Sequence, residues 1–472
     1  MTPHRSATRP AAPELLSPAG TLRNLRYALA YGADAVYAGI PRYSLRVRNN
    51  EFGDLEVLSD GIAAVHAAGK RFYLAANLVP HGAKLETFVA DLEPVVALKP
   101  DALIMSDPGL ILLVRERWPE LPIHLSVQAN TMNAAAVRFW EGQGIRRVIL
   151  SRELSLDEIA AIRDACPAVE LEVFVHGALC IAYSGRCLLS GYLSHRDANQ
   201  GSCTNACRWS YRLEEASSED AGNRESLQQP AADDGDTANR HPLADRVWLL
   251  EESQRPDEPM TMFEDEHGSY VMNSRDLCAV QHVGRLNAMG IDSLKIEGRT
   301  KSHYYTARAT SVYRRAIDDA AAGRPFDPGL LEALQGLANR GYTEGFLRRH
   351  APAELQNYAE GSSVSMRRQF VGEVVRVDTD SKTAEIRVRN RFAPGDELEW
   401  ITPSGTARAP LTRVLTTDGR TLDRAPGDGW TVRVDLPSSL LESHLLGEPS
   451  GRSSAGSLDQ TVMELALIAR VL

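Results

Sequence analysis

From Glu14 to about Asp318 the chain alternates short apolar runs with longer segments of helical spacing. Eight runs carry the pattern: Leu15-Leu16-Ser17-Pro18, Ala35-Val36-Tyr37-Ala38-Gly39, Phe72-Tyr73-Leu74-Ala75-Ala76, Ala102-Leu103-Ile104-Met105, Ile123-His124-Leu125, Val148-Ile149-Leu150, Leu171-Glu172-Val173-Phe174-Val175-His176 and Ser293-Leu294-Lys295-Ile296. A strand covered on one face alternates apolar with polar, whereas one covered on both faces reads as a near-continuous apolar stretch. Residues 84–98, 133–143 and 156–165 have helical spacing, and Thr21 is placed to cap a helix around Leu25. Repeated β-then-α units predict a parallel sheet, and eight of them predict an α/β fold of (β/α)8 TIM-like type over residues 13–350.

Polar residues recur where these runs end: Ser17, Asn77, Ser106, Asp107, Gln128, Asn130, Arg152, Glu153, His176, Glu297 and Arg299. In a closed barrel those ends share one face, where active sites sit. Strand ends are also polar simply because they meet solvent, so the set carries more weight than any member.

The pattern changes after Arg324-Pro325. From Arg367 to Leu436 apolar and polar residues alternate strictly, with Pro-Gly and Asp-Gly turns, which predicts a small antiparallel β-barrel domain within residues 361–440. Gly447 to Gly456 reads as a linker, and Ser457 to Leu472 reads as a C-terminal helix opened by a capping box at Ser457 and Gln460. Residues 1–12 lack the apolar core of a secretory signal. No apolar run approaches the roughly 20 residues that span a membrane. The expectation is a cytoplasmic protein with no membrane partner.

Charge is unevenly placed. The 472 residues carry a formal net charge of -10, and the segment from Glu214 to Glu258 alone holds 13 acidic against 4 basic residues. Outside that segment the chain is nearly neutral, so its acidity does not exclude an anionic partner. Ala216 to Pro242 is polar, with one Leu and no aromatic, and the acidic stretch at about 214–258 reads as a disordered insertion.

Four of the six cysteines fall within 28 residues: Cys180, Cys187, Cys203 and Cys207, with spacings of six, fifteen and three. Without a secretion signal such a cluster points to metal or catalysis rather than disulfides. The spacing is not the paired Cys-x2-Cys of a zinc ribbon. Four thiolates suit an iron–sulfur cluster, with structural zinc or buried free thiols as alternatives. Cys166 reads as an inert core residue, and Cys278 as helix packing or a fifth thiol near the site.

These same residues resemble the collagenase-like peptidase family. The resemblance rests on Glu172 to Cys180, Ser184 to Ser190, Asn199 to Trp209, Lys295 to Arg299, Asn339 to Phe346, Gln356-Asn357-Tyr358 and Gln369 to Glu373, and it runs from about Glu14 to Leu436. Within the family the chain is similar to the branch that hydroxylates tRNA. The resemblance implies formation of 5-hydroxyuridine at the wobble position, the first step towards 5-carboxymethoxyuridine, and dependence on prephenate. It also implies a 4Fe–4S cluster on Cys180, Cys187, Cys203 and Cys207. The acidic insertion and the C-terminal extension depart from the family pattern.

Oxidising C5 of a uracil needs electrons that no ordinary side chain carries, so a redox cofactor and an electron partner are required. Prephenate carries two carboxylates, which guanidinium forks match; the candidates are Arg46, Arg48, Arg152 and Arg299, the last two preferred for following strands. His176 is a candidate proton shuttle or a core histidine, and Glu297 either holds a uracil N–H or balances Arg299. tRNA is read through phosphates and splayed bases, and Arg208-Trp209, Tyr211-Arg212, Arg314-Arg315, Arg348-Arg349 and Arg367-Arg368 supply local basic character. A cysteine- or metal-dependent peptidase is the main alternative, yet neither His-Glu-x-x-His nor Gly-x-Ser-x-Gly occurs. A sibling hydroxylase acting on ribosomal RNA or a quinone precursor, and a non-catalytic zinc protein that binds tRNA, are the others.

Overall fold

All eight apolar runs form strands, and in the computed structural model these strands close into one barrel. The structure describes residues 12–40, 42–45, 50–180, 182–187, 190, 198, 203–204, 275–339, 341–348, 368–378, 380–440 and 465–472. It also describes the backbone of the strands at 211–215, 248–252 and 255–262. Strands β1 (Glu14–Pro18), β2 (Ala35–Gly39), β3 (Arg71–Ala76), β4 (Ala102–Met105), β5 (Ile123–Leu125), β6 (Arg147–Ile149) and β7 (Glu170–Ala178) are parallel neighbours in chain order. The chain then makes β8 (Tyr211–Glu215), β9 (Trp248–Glu252) and β10 (Arg255–Met262), a separate antiparallel sheet. Next comes β11 (Asp276–Cys278), antiparallel to the end of β7, with Ala178 opposite Asp276 and His176 opposite Cys278. Strand β12 (Ser293–Ile296) pairs in parallel with both β7 and β1 and closes the barrel.

Helices α1 (Leu22–Ala30), α2 (Leu55–Ala67), α3 (Gly82–Ala97), α4 (Pro108–Arg117), α5 (Ala134–Gly142), α6 (Leu156–Ala165), α7 (Val283–Ala288) and α8 (His303–Ala321) lie between and after the strands. Their starts follow from sequence: the side chains of Thr21, Asp54, Asp107, Asn133, Ser155 and Ser302 accept backbone N–H groups of the first turns. Asp107 and Ser17, both at strand ends, are structural. Asp107 caps α4, and the buried Ser17 hydroxyl meets Thr310 of α8 at 2.8 Å. A short helix α9 (Gly329–Gln335) and strand β13 (Tyr342–Thr343) follow, β13 pairing with β11.

The barrel interior is partly ionic. Arg147 Nη1 lies 2.6 Å from Glu14 and 3.2 Å from Glu172, and Lys295 Nζ donates to Glu172 at 2.8 Å. Tyr73 donates to Glu14 at 2.8 Å, and His124 sits edge-on to Tyr73. Burial of Arg147, Glu172 and Lys295 is tolerated because each charge has a partner.

The second domain is antiparallel, as the alternation predicts. It comprises β14 (Arg368–Asp378), β15 (Thr383–Val388), β16 (Glu397–Thr402), β17 (Gly405–Pro410), β18 (Val414–Thr416), β19 (Thr421–Leu422), β20 (Thr431–Asp435) and β21 (Leu467–Val471), ordered β17-β16-β21-β14-β15-β20-β18-β19. Ile386, Phe392, Trp400, Val432, Val434 and Ile468 form its core.

Three expectations are corrected. The C-terminal helix read from Ser457 to Leu472 is, over Leu467–Val471, a strand between β14 and β16. Ile468 faces the domain's own core, while Leu467 and Ala469 join the barrel's core, so both faces are covered and tertiary pairing overrides helical propensity. The insertion expected to be disordered at about 214–258 is strand at both ends, in β8 and in β9–β10; residues 216–247 lie outside the described residues. Cys278, read as helix packing or a fifth thiol, lies on the strand β11. Among the described residues no helix is long and apolar enough to cross a membrane.

Candidate active site at the carboxyl end of the barrel

Strand β7 outruns its neighbour β6 and carries the chain onto the barrel's carboxyl face, where Cys180 follows at once. Two glycines make the approach possible. Gly177 has φ +106°, and a Cβ there would lie 2.6 Å from the Glu297 carbonyl. Gly185 has φ +75° and packs directly on the Gln128 carbonyl at the end of β5, leaving no room for a side chain. Residues 182–187 are thereby held against the turn that follows β5. Ser184 of that segment donates its backbone N–H to Glu153, whose carboxyl is pushed above its ordinary range, chiefly by burial. Farther along, Thr204 donates its backbone N–H to Ser190 Oγ at 2.9 Å, folding the part around Cys203 back on the part after Cys187.

Cys180 is exposed, Cys187 and Cys203 are half-buried, and none forms a disulfide with another described cysteine. Cys207 lies outside the described residues, as do Asn199, Gln200, Arg46 and Arg48. Among the described residues no three His, Cys, Asp or Glu side chains converge closely enough to hold a metal ion. Thiols are the donor type that iron takes, and three of the four expected ligands, Cys180, Cys187 and Cys203, are among the described residues. Cys166 and Cys278, by contrast, are buried with thiols pushed up by desolvation, Cys278 to about 11, so both are poor ligands.

Beside this segment three cations gather around two rings. The Arg152 guanidinium lies over Phe174 at 3.9 Å from the ring centroid, with no carboxylate partner among the described residues. Lys295, in register with Phe174, places Nζ 4.4 Å from the Tyr37 centroid and 5.3 Å from that of Phe174. Arg299 donates to the Leu45 carbonyl and lies 5.8 Å from Tyr37. Arg152 and Arg299 are therefore drawn to one place. Desolvation pulls the Lys295 ammonium below its ordinary pKa, and Glu172 opposes the shift. Lys295, Phe174 and Tyr37 were missed as site residues. Their signal is periodicity two: Lys295 shares a strand face with Glu297, in a run otherwise apolar.

His176 is 1% exposed and walled by Tyr305, Tyr313 and Tyr342, with ring centroids 5.4–5.7 Å away. Burial drives its pKa down to about 4, against the pull of Asp276 and Glu297. Tyr313 OH stands 3.4 Å from Nδ1, while Nε2 has no hydrogen-bond partner. The ring is neutral and out of contact with solvent, the environment of a core histidine rather than of a shuttle working near neutrality. Glu297 is buried, and its Oε2 accepts the Ala178 N–H at 3.3 Å, bracing the chain just before Cys180. Asn77 donates to Ser126 at 3.2 Å, Ser106 to the Asn77 carbonyl at 3.0 Å, and Asn130 to Ser151 at 3.3 Å, so these rim residues mostly support one another.

Of the arginines expected to meet tRNA, four make ion pairs within the chain. Arg314 binds Asp34 and Asp318, Arg315 binds Asp327, Arg348 binds Glu344, and Arg368 is buried against Glu399. Arg208, Trp209, Arg349 and Arg367 lie outside the described residues, and of Tyr211 and Arg212 only the strand backbone is described.

A family model described as "Peptidase family U32" matches residues 20–357, and one described as "Peptidase family U32 C-terminal domain" matches residues 366–446. The chain belongs to peptidase family U32. This U32 chain is 60% identical over 434 residues to "tRNA hydroxylation protein P" of Escherichia coli strain K12, covering 91% of this chain and 94% of the relative. It is 58% identical to the protein of the same name from Haemophilus influenzae, again covering 91% and 94%. A more distant U32 relative is the "23S rRNA 5-hydroxycytidine C2501 synthase" of Escherichia coli K12. It is 29% identical over 82% of this chain and 52% of that protein.

Proposed function

We propose that this chain is a tRNA hydroxylase that forms 5-hydroxyuridine at the wobble position. Its proposed requirements are a 4Fe–4S cluster on Cys180, Cys187, Cys203 and Cys207, prephenate, and an external electron partner. The observation that carries the reading is Cys180 and Cys187 set at the carboxyl end of the barrel by the close approaches of Gly177 and Gly185, in a chain 60% identical to a tRNA hydroxylation protein. Bound there, a cluster would supply the one-electron chemistry that the side chains lack. The protein's own part is positioning. Arg152 and Arg299 offer two guanidinium forks to a dicarboxylate, and Lys295 sets a third charge beneath them. Phe174 and Tyr37 hold those cations in place through their ring faces. Glu297, fixed by Ala178 N–H, keeps the first cysteine at the rim.

The test is nucleoside analysis of tRNA from a deletion strain carrying wild-type or Cys187→Ala protein, together with anaerobic purification for iron and sulfide content. Wild type restores the wobble nucleoside and contains iron, and the variant does neither. An unchanged nucleoside level in the variant would overturn the reading. Loss of a hydroxycytidine from ribosomal RNA instead would move the substrate to the sibling class.

A further inference from the structure

Glu373, on β14, is 3% exposed and is met by cations from three elements. Arg23 of α1 pairs with it, Arg387 Nη1 stands at 3.2 Å, and Arg389 Nη2 at 3.9 Å. His303 Nε2 is 3.4 Å away, but its ring is neutral: burial, then Arg23 and Arg389, bring its pKa down to about 3. Asp428, largely exposed, binds Arg389 Nη1 at 3.0 Å. Three permanent positive charges therefore face one buried and one exposed carboxylate. The guanidiniums stay reachable, with side-chain exposures of 37% for Arg23, 52% for Arg387 and 35% for Arg389.

Crowding of this kind is unfavourable in isolation. Burial chiefly, with the charges of Arg389 and Arg387, lowers the Arg23 pKa. One guanidinium would satisfy Glu373, so the surplus is left for an anion. The cluster is also extensible. Arg391 continues the spacing of 387 and 389, Arg26 lies one turn along from Arg23, and both are exposed with no ion-pair partner among the described residues. Its place is informative too. Helix α1 leaves the carboxyl end of β1 and α8 leaves that of β12, so Arg23 and His303 stand on the face that holds the mouth. The N-terminus of α1 takes no part, since Thr21 and Glu51 already accept its N–H groups.

We propose that Arg23, Arg387 and Arg389 form a binding site for RNA backbone phosphates that seats the substrate where the barrel mouth meets the second domain. The proposal rests on the tRNA reading above and adds a site to it. Guanidinium forks match phosphate oxygens, and phosphate contacts supply most of the affinity and its salt dependence.

The test measures affinity of the full-length protein for unmodified tRNA across a salt series. Arg387→Gln/Arg389→Gln is compared with wild type, with Arg387→Lys/Arg389→Lys, and with Arg413→Gln/Arg420→Gln. The last removes two charges from arginines paired with Asp435 and Asp418 in the same domain. Thermal melting confirms folding of each variant. Expected is a loss of about tenfold or more near 0.1 M salt, and a log–log salt slope shallower by roughly 1.4–1.8, for the 387/389 glutamine pair. The lysine pair should retain most of the affinity, and the 413/420 pair should match wild type. Equal binding by the 387/389 glutamine pair and wild type overturns the site, as does an equal loss in the 413/420 pair, which would indicate bulk charge. Failure of wild type to bind tRNA at all would instead overturn the underlying reading.

Discussion

His176 shows how burial alone sets a residue's chemistry. Its pKa of about 4 lies below the unfolded value near 6.5, so the unfolded chain binds more protons between those limits. Its contribution to stability is complete above pH 6.5, falls as pH drops, and stops changing below about 4. The size is about 3 kcal/mol across that window. In His176→Gln, denaturant titrations at pH 4.5, 5.5 and 7 should show a shallower loss of stability on acidification than wild type. An unchanged pH slope would mean that the ring takes up its proton in the fold just as it does in the unfolded chain. Sequence alone leaves this residue ambiguous, because shuttle and core histidines follow strands equally well. Only the three tyrosines, brought from positions 305, 313 and 342, decide.

At the scale of elements, β21 bridges two strands of the second domain. Ile468 is fully buried, and β14 and β16 reach each other only through its strand. Ile468→Ala should destabilise by about 2–4 kcal/mol in urea unfolding, and Val471→Ala, at the half-buried end, by under about 1 kcal/mol. The sequence hid this strand. Ala466-Leu467-Ile468-Ala469 is apolar throughout, and Ser457 with Gln460 imitates a helix start, so propensity and local pattern point the wrong way. The barrel strands were legible for a related reason. Parallel strands covered on both faces yield short apolar runs such as Ala35–Gly39, and their regular alternation with helical segments is what made them readable as strands. Strand β11, three residues long, has no period to read, and the lumen charges Glu14, Arg147 and Glu172 look like surface residues until their neighbours are known. Cysteine spacing was legible because it is local; the cation cradle was not, because Lys295, Tyr37 and Phe174 come from three strands and Arg152 from the turn after a fourth.

Across the whole molecule the domains are joined by buried charge. Glu399 of β16, 2% exposed, meets Arg308 of α8 and Arg368 of β14. Tyr31 of α1 donates to the Ile401 carbonyl at 2.7 Å. Glu399→Ala takes the shared carboxylate away from two buried guanidiniums, and a loss of about 3–5 kcal/mol is expected. Arg408→Ala, which removes a half-exposed partner of the same carboxylate, should cost about 1 kcal/mol or less. Calorimetry should resolve one transition in wild type and two in Glu399→Ala; a single unshifted transition would show that the junction does not couple the domains. A different economy governs the segment that leaves β7. Ala178 and Asp276 are register partners, so residues 179–275 depart and return one strand spacing apart. With both ends clamped by the sheet, doubling the length of that excursion adds only about 0.6 kcal/mol of closure entropy. The position is a natural port for grafted modules, where length can drift between lineages while the scaffold beneath stays unchanged.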